Sequence, residues 1–318
     1  MKIAMIGSGA AGSVFASYLR AGGADMWLVD RYKAHMDKVA ADGMRFITPS
    51  GERLLTGFRT AYSADAIGEM DIVILMVKAT QTEAIMPSVS PCIGENTVVV
   101  SLQNGLDNDR LLSAFLPAER IICGFGIIGT ELREPGVCAA KPEEGILMRF
   151  GACKKSYLSD AAGEYLEAAF TRGGCPARYE PDIWPFIWKK AISNSGYNTV
   201  SAILGLKVGQ VLANEHGRKL ILDVWREGCA VAKAAGMGDL WPETEASLPM
   251  LASGFSDYYP SMAQDMLLHR RQTEIRHLNG AIADYGDRLG VSSPLNRMLT
   301  ELVSCEQENY DAVYVKKP

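Results

Sequence analysis

The chain has 318 residues, enough for two domains of ordinary size, and its 48% hydrophobic and 22% charged residues are typical of a globular protein. A formal net charge of −5 excludes the basic surface that nucleic-acid binding requires. Seven cysteines without a C-x-x-C pair and four dispersed histidines favour reduced thiols and no metal site. The longest apolar stretch, residues 72–77, is too short for a membrane span, and no signal-peptide core fits before the first glycines. We therefore expect a cytoplasmic protein without metal, nucleic-acid or membrane partners.

The first half of the chain alternates strand and helix patterns. The predicted strands are residues 2–6, 26–29, 72–77 and 97–102, and the predicted helices are 11–20 and 33–42. This alternation indicates βαβ units and a parallel sheet, and the continuous apolar strands are typical of a sheet covered on both faces. Between about Gly124 and Phe150, glycines and the turn Glu134-Pro135-Gly136 predict antiparallel strands that complete this sheet.

From Asp182 onward the strand signals disappear and long helical patterns follow. The predicted helices are residues 183–204, 215–235, 261–289 and 294–313, with Gly236 and Gly290 as C-terminal caps and Pro294 as a helix start. We place a domain boundary near Glu180-Pro181, which divides the chain into an α/β domain (1–180) and an all-helical domain (181–318). Residues 316–318 are predicted to form a frayed end.

A glycine-rich turn follows the first predicted strand. Residues Gly7-Ser8-Gly9-Ala10-Ala11-Gly12 match G-x-G-x-x-G and open a helix. In this pattern the first glycine permits a tight turn, the second lets the backbone approach a pyrophosphate, and the third allows close helix–strand packing. The helix N-terminus adds N–H donors and a positive dipole end. The context favours a Rossmann-type dinucleotide site over a purely structural turn.

The residues after the second strand leave the choice of dinucleotide open. Asp30 could accept hydrogen bonds from a ribose 2′-OH, which favours NAD. Arg31 could pair with a 2′-phosphate, which favours NADP. Lys78, at the end of the strand 72–77, lies on the same edge of the predicted sheet and could add a second positive charge there. Ordinary solvated charge is the alternative for Arg31 and Lys78.

Two polar clusters in the helical half are candidates for chemistry. Lys190, Asn194 and Asn198 are spaced four apart and would share one helix face, where a lysine ammonium could protonate a ketone oxygen. In the second cluster, Glu274 could orient a substrate hydroxyl or the lysine, and Ser261 could bind a substrate carboxylate. Solvated helix faces are the alternative for both clusters.

Asn104 would lie at the carboxyl edge of the sheet, although an Asn-Gly turn would also explain it. Together the motifs resemble the ketopantoate reductase family over nearly the whole chain. The matching segments are G-x-G-A-x-G at 7–12, V-K-x-x-Q at 77–81, Q-N-G at 103–105, W-x-K-x-x-x-N at 188–194, S-M-x-x-D at 261–265, R-x-T-E-I at 271–275 and L-N-G at 278–280.

The resemblance implies a Rossmann domain, an all-helical domain of the 6-phosphogluconate dehydrogenase C-terminal type, and an active site in the cleft between them. It implies NADPH-dependent reduction of 2-dehydropantoate (ketopantoate), or a similar 2-keto acid, in the pantothenate pathway. Lys190 would be the general acid/base, Glu274 would hold the substrate hydroxyl, Asn194 and Asn198 would line the pocket, and Ser261 would contact the carboxylate. The implied cofactor contacts are Gly7, Ser8, Gly9, Ala10, Ala11, Gly12, Asp30, Arg31, Lys78, Gln81 and Asn104, with Asn104 also bridging to the lysine.

Two departures from the family pattern bear on these roles. Between Asp265 and Arg271 there is one residue more than the usual spacing, which would turn a regular helix by about 100° unless a bulge absorbs it. This affects Ser261 more than Glu274. Asp30 is absent from many family members and keeps an NAD-dependent D-2-hydroxyacid dehydrogenase open as an alternative. A non-catalytic dinucleotide sensor is a second alternative, and the apolar helical half is compatible with a homodimer.

Overall fold

A computed structural model of the chain describes residues 1–142, 145–254 and 257–312. It contains two compact units, of which the first comprises Met1–Gln103 and Asn108–Ile183. The second comprises Asn104–Asp107 and the chain from Trp184 onward. The helix predicted at 294–313 is shorter than expected, because it ends at Glu308, and the predicted frayed tail at 316–318 lies outside the described residues. The division into domains of 1–180 and 181–318 stays a prediction.

The first unit combines strands with helices. Its strands are β1 (Lys2–Ile6), β2 (Asp25–Val29), β3 (Met44–Thr48), β4 (Gly51–Leu55), β5 (Arg59–Ala61), β6 (Met70–Leu75), β7 (Ile93–Ser101), β8 (Ile121–Gly126), β9 (Ile128–Glu134), β10 (Val137–Pro142), β11 (Met148–Ala152) and β12 (Ala177–Tyr179). Its helices include α1 (Ala10–Ala21), α2 (Lys33–Asp42), α3 (Thr82–Val89), α4 (Asn108–Ser113) and α5 (Tyr157–Arg172). The predicted βαβ alternation is therefore present, although the strand predicted at 72–77 ends at Leu75.

The main sheet has eight strands in the order β12-β11-β8-β7-β6-β1-β2-β5. All neighbours from β5 to β8 are parallel, whereas β11 runs antiparallel to β8. The chain leaves β1 for β2 on one side and later returns to β6 on the other side. The carboxyl end of β1 is thus a topological switch point, which is where open α/β sheets bind ligands.

The core of this unit explains why its strands are continuously apolar. Ile3 and Met5 of β1 belong to a buried cluster that includes side chains of α1 and α5. Ala4 and Ile6 point to the opposite face and are buried as well. Both faces of the sheet are therefore covered, as the apolar pattern predicts.

A second, four-stranded sheet has the order β4-β3-β10-β9. The prediction that residues 124–150 complete the main sheet is therefore only partly correct, because β9 and β10 belong to this second sheet. The hairpin of β3 and β4 was not predicted at all. Strand β4 gives no apolar signal, since its side chains are largely exposed and Leu54 is 61% exposed. Phe46 of β3 anchors the sheet by packing edge-on against Tyr18 of α1, with ring centroids 4.8 Å apart.

The regular elements of the second unit are all helical among its described residues, as predicted. Its helices are α6 (Trp184–Ser193), α7 (Thr199–Leu204), α8 (Val208–Ala213), α9 (Glu215–Ala234), α10 (Trp241–Ala246), α11 (Leu248–Gly254), α12 (Ser261–Ala263), α13 (Asn279–Leu289) and α14 (Pro294–Glu308). Gly290 ends α13 in the left-handed conformation and Pro294 starts α14, as predicted. No helix in the described part of the chain has both the length and the hydropathy needed to span a membrane.

Residues 261–289 are not one helix, and that prediction is wrong. After α12 the chain forms a π-helical turn at Gln264–His269, which ends at Arg270 in the left-handed conformation with φ of 47°. A short 3-10 turn at Ile275–His277 then leads into α13. The prediction bridged residues 269–274, which are all polar, so no apolar residue there supports a continuous helix face.

Candidate active site

The glycine turn joins β1 to α1 at the switch point. Gly7 has a φ of 93°, and a Cβ at this position would lie 2.8 Å from the backbone nitrogen of Val77. A Cβ on Gly12 would lie 1.9 Å from the carbonyl oxygen of Gly7. Real Cβ atoms do not approach so closely, and side chains rarely adopt the Gly7 conformation. Backbone packing alone therefore requires glycine at both positions.

Gly9 and Ser8 have no such packing explanation. A Cβ on Gly9 would meet no protein atom within 4 Å, and its φ of −68° is ordinary. Ser8 is 1% exposed, yet its Oγ has no hydrogen-bond partner among the described residues. Ala10 and Ala11 follow in the first turn of α1, where backbone N–H groups are available. Open space at Gly9 and an unpaired hydroxyl beside a helix N-terminus fit the pyrophosphate of a dinucleotide.

Asp30 holds the glycine turn through its carboxylate. Oδ2 accepts a hydrogen bond from the backbone N–H of Ser8 at 2.7 Å, and Oδ1 accepts one from the N–H of Tyr32 at 2.9 Å. Arg31, the next residue, is exposed and its guanidinium has no hydrogen-bond or ion-pair partner in the part of the chain that the structure describes. The acidic side chain thus supports the turn, while the basic one is available to a ligand.

A buried histidine, His35, also supports this turn. The N–H of Gly136 donates to Nδ1 of His35 at 2.9 Å, so the proton of the neutral ring is on Nε2. Nε2 lies 3.0 Å from Oγ of Ser13, which itself donates to the carbonyl oxygen of Ser8 at 2.7 Å. Burial lowers the pKa of His35, partly offset by the Asp30 carboxylate. The ring is therefore held neutral as a link between α2 and the glycine turn.

The segment after β6 carries two predicted cofactor residues. Lys78 is half-buried and precedes a 3-10 turn at Ala79–Gln81, and Gln81 is exposed. The segment is held by a residue that sequence reasoning missed, the buried Gln103. Its Nε2 donates to the carbonyl oxygen of Val77 at 2.8 Å and to Oγ1 of Thr82 at 3.0 Å. Its place in the Q-N-G motif was the available signal.

In the second unit, the helical run from Lys190 to Asn198 is interrupted by a π-helical turn. Lys190 is half-buried near the end of α6. Asn194 begins the π turn, is buried, and accepts a hydrogen bond from the hydroxyl of Tyr197 at 2.8 Å. Asn198 ends the turn and is also buried. Sequence reasoning missed this turn, although glycine within a helical pattern, here Gly196, is a signal of irregularity.

Asn198 and Ser261 come together. Nδ2 of Asn198 donates to Oγ of Ser261 at 3.2 Å, and its Oδ1 accepts the backbone N–H of Met262 at 2.8 Å. The Asn198 amide thus fixes the start of α12 and the position of the Ser261 hydroxyl. The hydrogen of that hydroxyl has no acceptor among the described residues, so it can be donated to a ligand oxygen.

Glu274 and Asn104 also come together. Glu274 is 6% exposed, and its Oε2 accepts a hydrogen bond from Nδ2 of Asn104 at 3.2 Å. The preceding residue, Thr273, donates through both its backbone N–H and its hydroxyl to Oε1 of Gln307, each at 2.9 Å. Further along, Nδ1 of His277 lies 2.9 Å from Oδ1 of Asp107. These contacts fix both Glu274 and the short Asn104–Asp107 segment. No motif or spacing in the sequence pointed to Gln307, Asp107 or His277.

The π turn at Gln264–His269 contains the inserted residue identified in the sequence. The backbone N–H of Arg271 donates to the carbonyl oxygen of Asp265 at 3.1 Å, which encloses the extra residue within the turn. The Arg271 guanidinium also bonds the buried Asp265 carboxylate at 2.7 Å. The helix does not continue beyond this turn, because Arg270 ends it in the left-handed conformation. Ser261 precedes the turn and contacts Asn198.

The comparisons with known proteins cover both units. The family model Ketopantoate reductase PanE/ApbA matches residues 3–148, and Ketopantoate reductase PanE/ApbA C terminal matches residues 182–307. A 2-dehydropantoate 2-reductase of Streptococcus pyogenes is 27% identical over 96% of this chain and 98% of its own length. The enzyme of the same name from Aquifex aeolicus is 29% identical over 96% and 97%.

Among solved structures, the ternary structure of D-mandelate dehydrogenase with NADH and anilino(oxo)acetate has a TM-score of 0.85. It is 26% identical and covers 98% of this chain and 99% of that one. Together with the family models, these similarities identify an NAD(P)-dependent oxidoreductase that acts on CH–OH groups and reduces a 2-keto acid. The chain belongs to the ketopantoate reductase family.

Proposed function

We propose that the chain reduces 2-dehydropantoate, or a closely similar 2-keto acid, to the 2-hydroxy acid with NADPH, as a step of pantothenate biosynthesis. The observation that carries the proposal is the hydroxyl of Ser261, which Asn198 positions with its hydrogen free to donate. A donor of this kind suits the carboxylate of a 2-keto acid. Residues 1–180 would bind the dinucleotide, and 181–318 would bind the substrate.

The chain's own residues would divide the chemistry as follows. When bound, the reduced nicotinamide supplies a hydride to the carbonyl carbon. The ammonium of Lys190 donates a proton to the carbonyl oxygen, which becomes the product hydroxyl. Glu274, oriented by Asn104, accepts a hydrogen bond from that hydroxyl. Asn194 and Asn198 line the substrate site, and Ser261 donates to the carboxylate.

The proposal is tested by the loss of reduced-nicotinamide absorbance with 2-dehydropantoate and a panel of branched and aromatic 2-keto acids. We expect the highest kcat/KM with 2-dehydropantoate and NADPH. A native protein that binds NADPH but turns over none of these acids would contradict the proposed reaction.

The role of Lys190 is tested with Lys190→Ala. Loss of a general acid lowers kcat by about 10²- to 10⁴-fold, whereas the dissociation constant of the cofactor should stay unchanged. The matched control is the adjacent Lys189→Ala, because Lys189 pairs with Glu243 at 2.6 Å and is not assigned to the site. Equal activity losses in the two variants would refute the assignment.

A second candidate is an NADH-dependent D-2-hydroxyacid dehydrogenase. The D-mandelate dehydrogenase structure with NADH favours it, as does Asp30, whose carboxylate suits a ribose hydroxyl better than a phosphate. Arg31 favours NADPH, because its side chain is exposed and has no partner among the described residues. Asp30 is meanwhile engaged by two backbone N–H groups.

Arg31→Ala distinguishes the two cofactors. If Arg31 pairs with the 2′-phosphate, the KM for NADPH should rise about tenfold, equivalent to ~1.4 kcal/mol, with no change for NADH. Arg59→Ala is the control, because Arg59 is exposed in the same unit and pairs with Asp25 at 3.5 Å. A native preference for NADH that Arg31→Ala leaves intact would favour the second candidate.

A homodimer, testable by sedimentation, and a cytoplasmic location belong to the same proposal.

A further inference from the structure

The π turn at Asn194–Asn198 leaves backbone carbonyl groups that regular helix bonding does not satisfy. A π turn closes its hydrogen bonds five residues apart, so the α-helical pairing is lost around it. Two side chains take up these carbonyl groups. Nε1 of Trp225 donates to the carbonyl oxygen of Ser193 at 3.1 Å, and Nδ2 of Asn279 donates to that of Ser195 at 3.0 Å. The first part of the irregular stretch is thus held from outside its own helix.

The Asn279 amide is fully buried and uses its oxygen and its nitrogen. Its Oδ1 accepts the hydroxyl hydrogen of Thr199 at 2.8 Å, just beyond the π turn. Its Nδ2 donates to Oδ1 of Asn296 at 3.1 Å as well as to the Ser195 carbonyl. Asn296 in turn donates to the Glu227 carboxylate at 3.0 Å. This chain of bonds connects α9, α14 and α13 to the π turn, and it fixes the orientation of the Asn279 amide.

Gly196 makes the packing around the turn possible. A Cβ at Gly196 would lie 2.3 Å from Nε1 of Trp225, the atom that donates to Ser193. Trp225 is completely buried, so it has no room to move away. The turn is therefore a closely fitted element rather than a loose irregularity.

The geometry assigns Asn279 as a positioning residue of the substrate site. It acts through the π turn on Asn194 and Asn198, and through Asn198 on Ser261, to which Asn198 donates at 3.2 Å. The inference rests on the proposed function, because it takes these three residues to bind the keto acid. Asn279 itself touches none of them in the side-chain hydrogen bonds described.

The test compares Asn279→Ala with Thr244→Val in the full-length protein. Thr244 is equally buried, and its hydroxyl bonds the carbonyl oxygen of Leu240 at 2.7 Å, remote from the π turn in these contacts. For Asn279→Ala we expect kcat/KM for the keto acid to fall about 10²-fold, mainly through KM, because small displacements of binding groups have effects of this size. The KM for the dinucleotide should not change. Thr244→Val should lower the Tm by about as much as Asn279→Ala does, but its kinetic constants should stay native.

A second measurement, amide hydrogen exchange over residues 193–204, does not depend on activity. We expect faster exchange in this segment for Asn279→Ala and native exchange for Thr244→Val. A native keto-acid KM in Asn279→Ala, or the same kinetic loss in both variants, would overturn the inference. If the native protein turns over no 2-keto acid, the proposed function fails. The amide-exchange measurement alone then tests whether Asn279 supports the turn. Faster exchange in Asn279→Ala alone would agree with a role of Asn279 in stabilising the turn. Native exchange in Asn279→Ala would overturn that role.

Discussion

Two kinds of requirement act on the three glycines of the dinucleotide turn. At Gly7 and Gly12 the protein's own backbone leaves no space for a Cβ. At Gly9, which is exposed, the protein leaves that space open. The pattern G-x-G-x-x-G predicts all three positions but does not separate the two requirements, because the separation depends on distances to Val77 and to the turn's own carbonyl.

This distinction gives a prediction at the residue scale. Gly9→Ala should leave the free energy of unfolding unchanged or raise it by about 0.4–1 kcal/mol, since alanine restricts the unfolded chain. Its dissociation constant for the dinucleotide should rise, because the methyl group enters the space that the pyrophosphate would occupy. Chemical denaturation and fluorescence titration of the cofactor measure the two quantities.

Gly12→Ala is the matched comparison. Its Cβ would meet the Gly7 carbonyl at 1.9 Å, so overpacking should lower the free energy of unfolding by about 1–3 kcal/mol. Cofactor affinity should fall with it. Native cofactor affinity in Gly9→Ala would show that the open space at Gly9 is not the pyrophosphate site.

At the scale of elements, the π turns mark where sequence reasoning succeeded and where it failed. The extra residue between Asp265 and Arg271 predicted either a rotation or a bulge, and the structure has the bulge. The turn at Asn194–Asn198 was missed, because Lys190, Asn194 and Asn198 keep a regular spacing of four. Apart from Gly196, the groups that hold the turn lie elsewhere in the sequence, on Trp225 and Asn279, and contacts of that range are not visible in a local pattern.

His35, which connects α2 to the glycine turn, leads to a prediction of how the free energy of unfolding depends on pH. The folded protein lowers the pKa of His35, whereas the unfolded chain restores it to about 6.5. Below that value the unfolded state binds a proton that the folded state resists, so the free energy of unfolding should fall as the pH drops from 7 towards 5. Above about pH 6.5 the ring is neutral in both states, and the free energy of unfolding no longer changes through His35.

Denaturant titrations at several pH values in that range would measure the effect. His35→Gln is the comparison, because its amide can still accept from Gly136 and donate to Ser13 but does not titrate. The difference between native protein and variant isolates His35 from the other three histidines. An equal pH dependence in both proteins would contradict the link between this pKa and stability.

At the scale of the whole molecule, the apolar strands and the helical second half were predictable because each carries a strong local period. The segments Ile3–Ile6 of β1, Ile72–Leu75 of β6 and Val98–Val100 of β7 are buried on both faces and appear as unbroken apolar runs. The second sheet was not predictable in this way, since β4 is exposed and its partners come from distant parts of the chain. The candidate site residues could be predicted as types and motifs, but their pairing, Asn198 with Ser261 and Asn104 with Glu274, required coordinates.

The segment Asn104–Asp107 has a consequence for how the chain can be divided. It is flanked on both sides by residues of the first unit but belongs to the second. A fragment that begins at Trp184 would therefore contain Glu274 without the Asn104 amide that donates to it. It would also contain His277 without Asp107. The helical unit therefore cannot be exchanged as a block that begins at residue 184. A chimera with that junction would also need the four residues Asn104–Asp107 from the protein that supplies the helical unit.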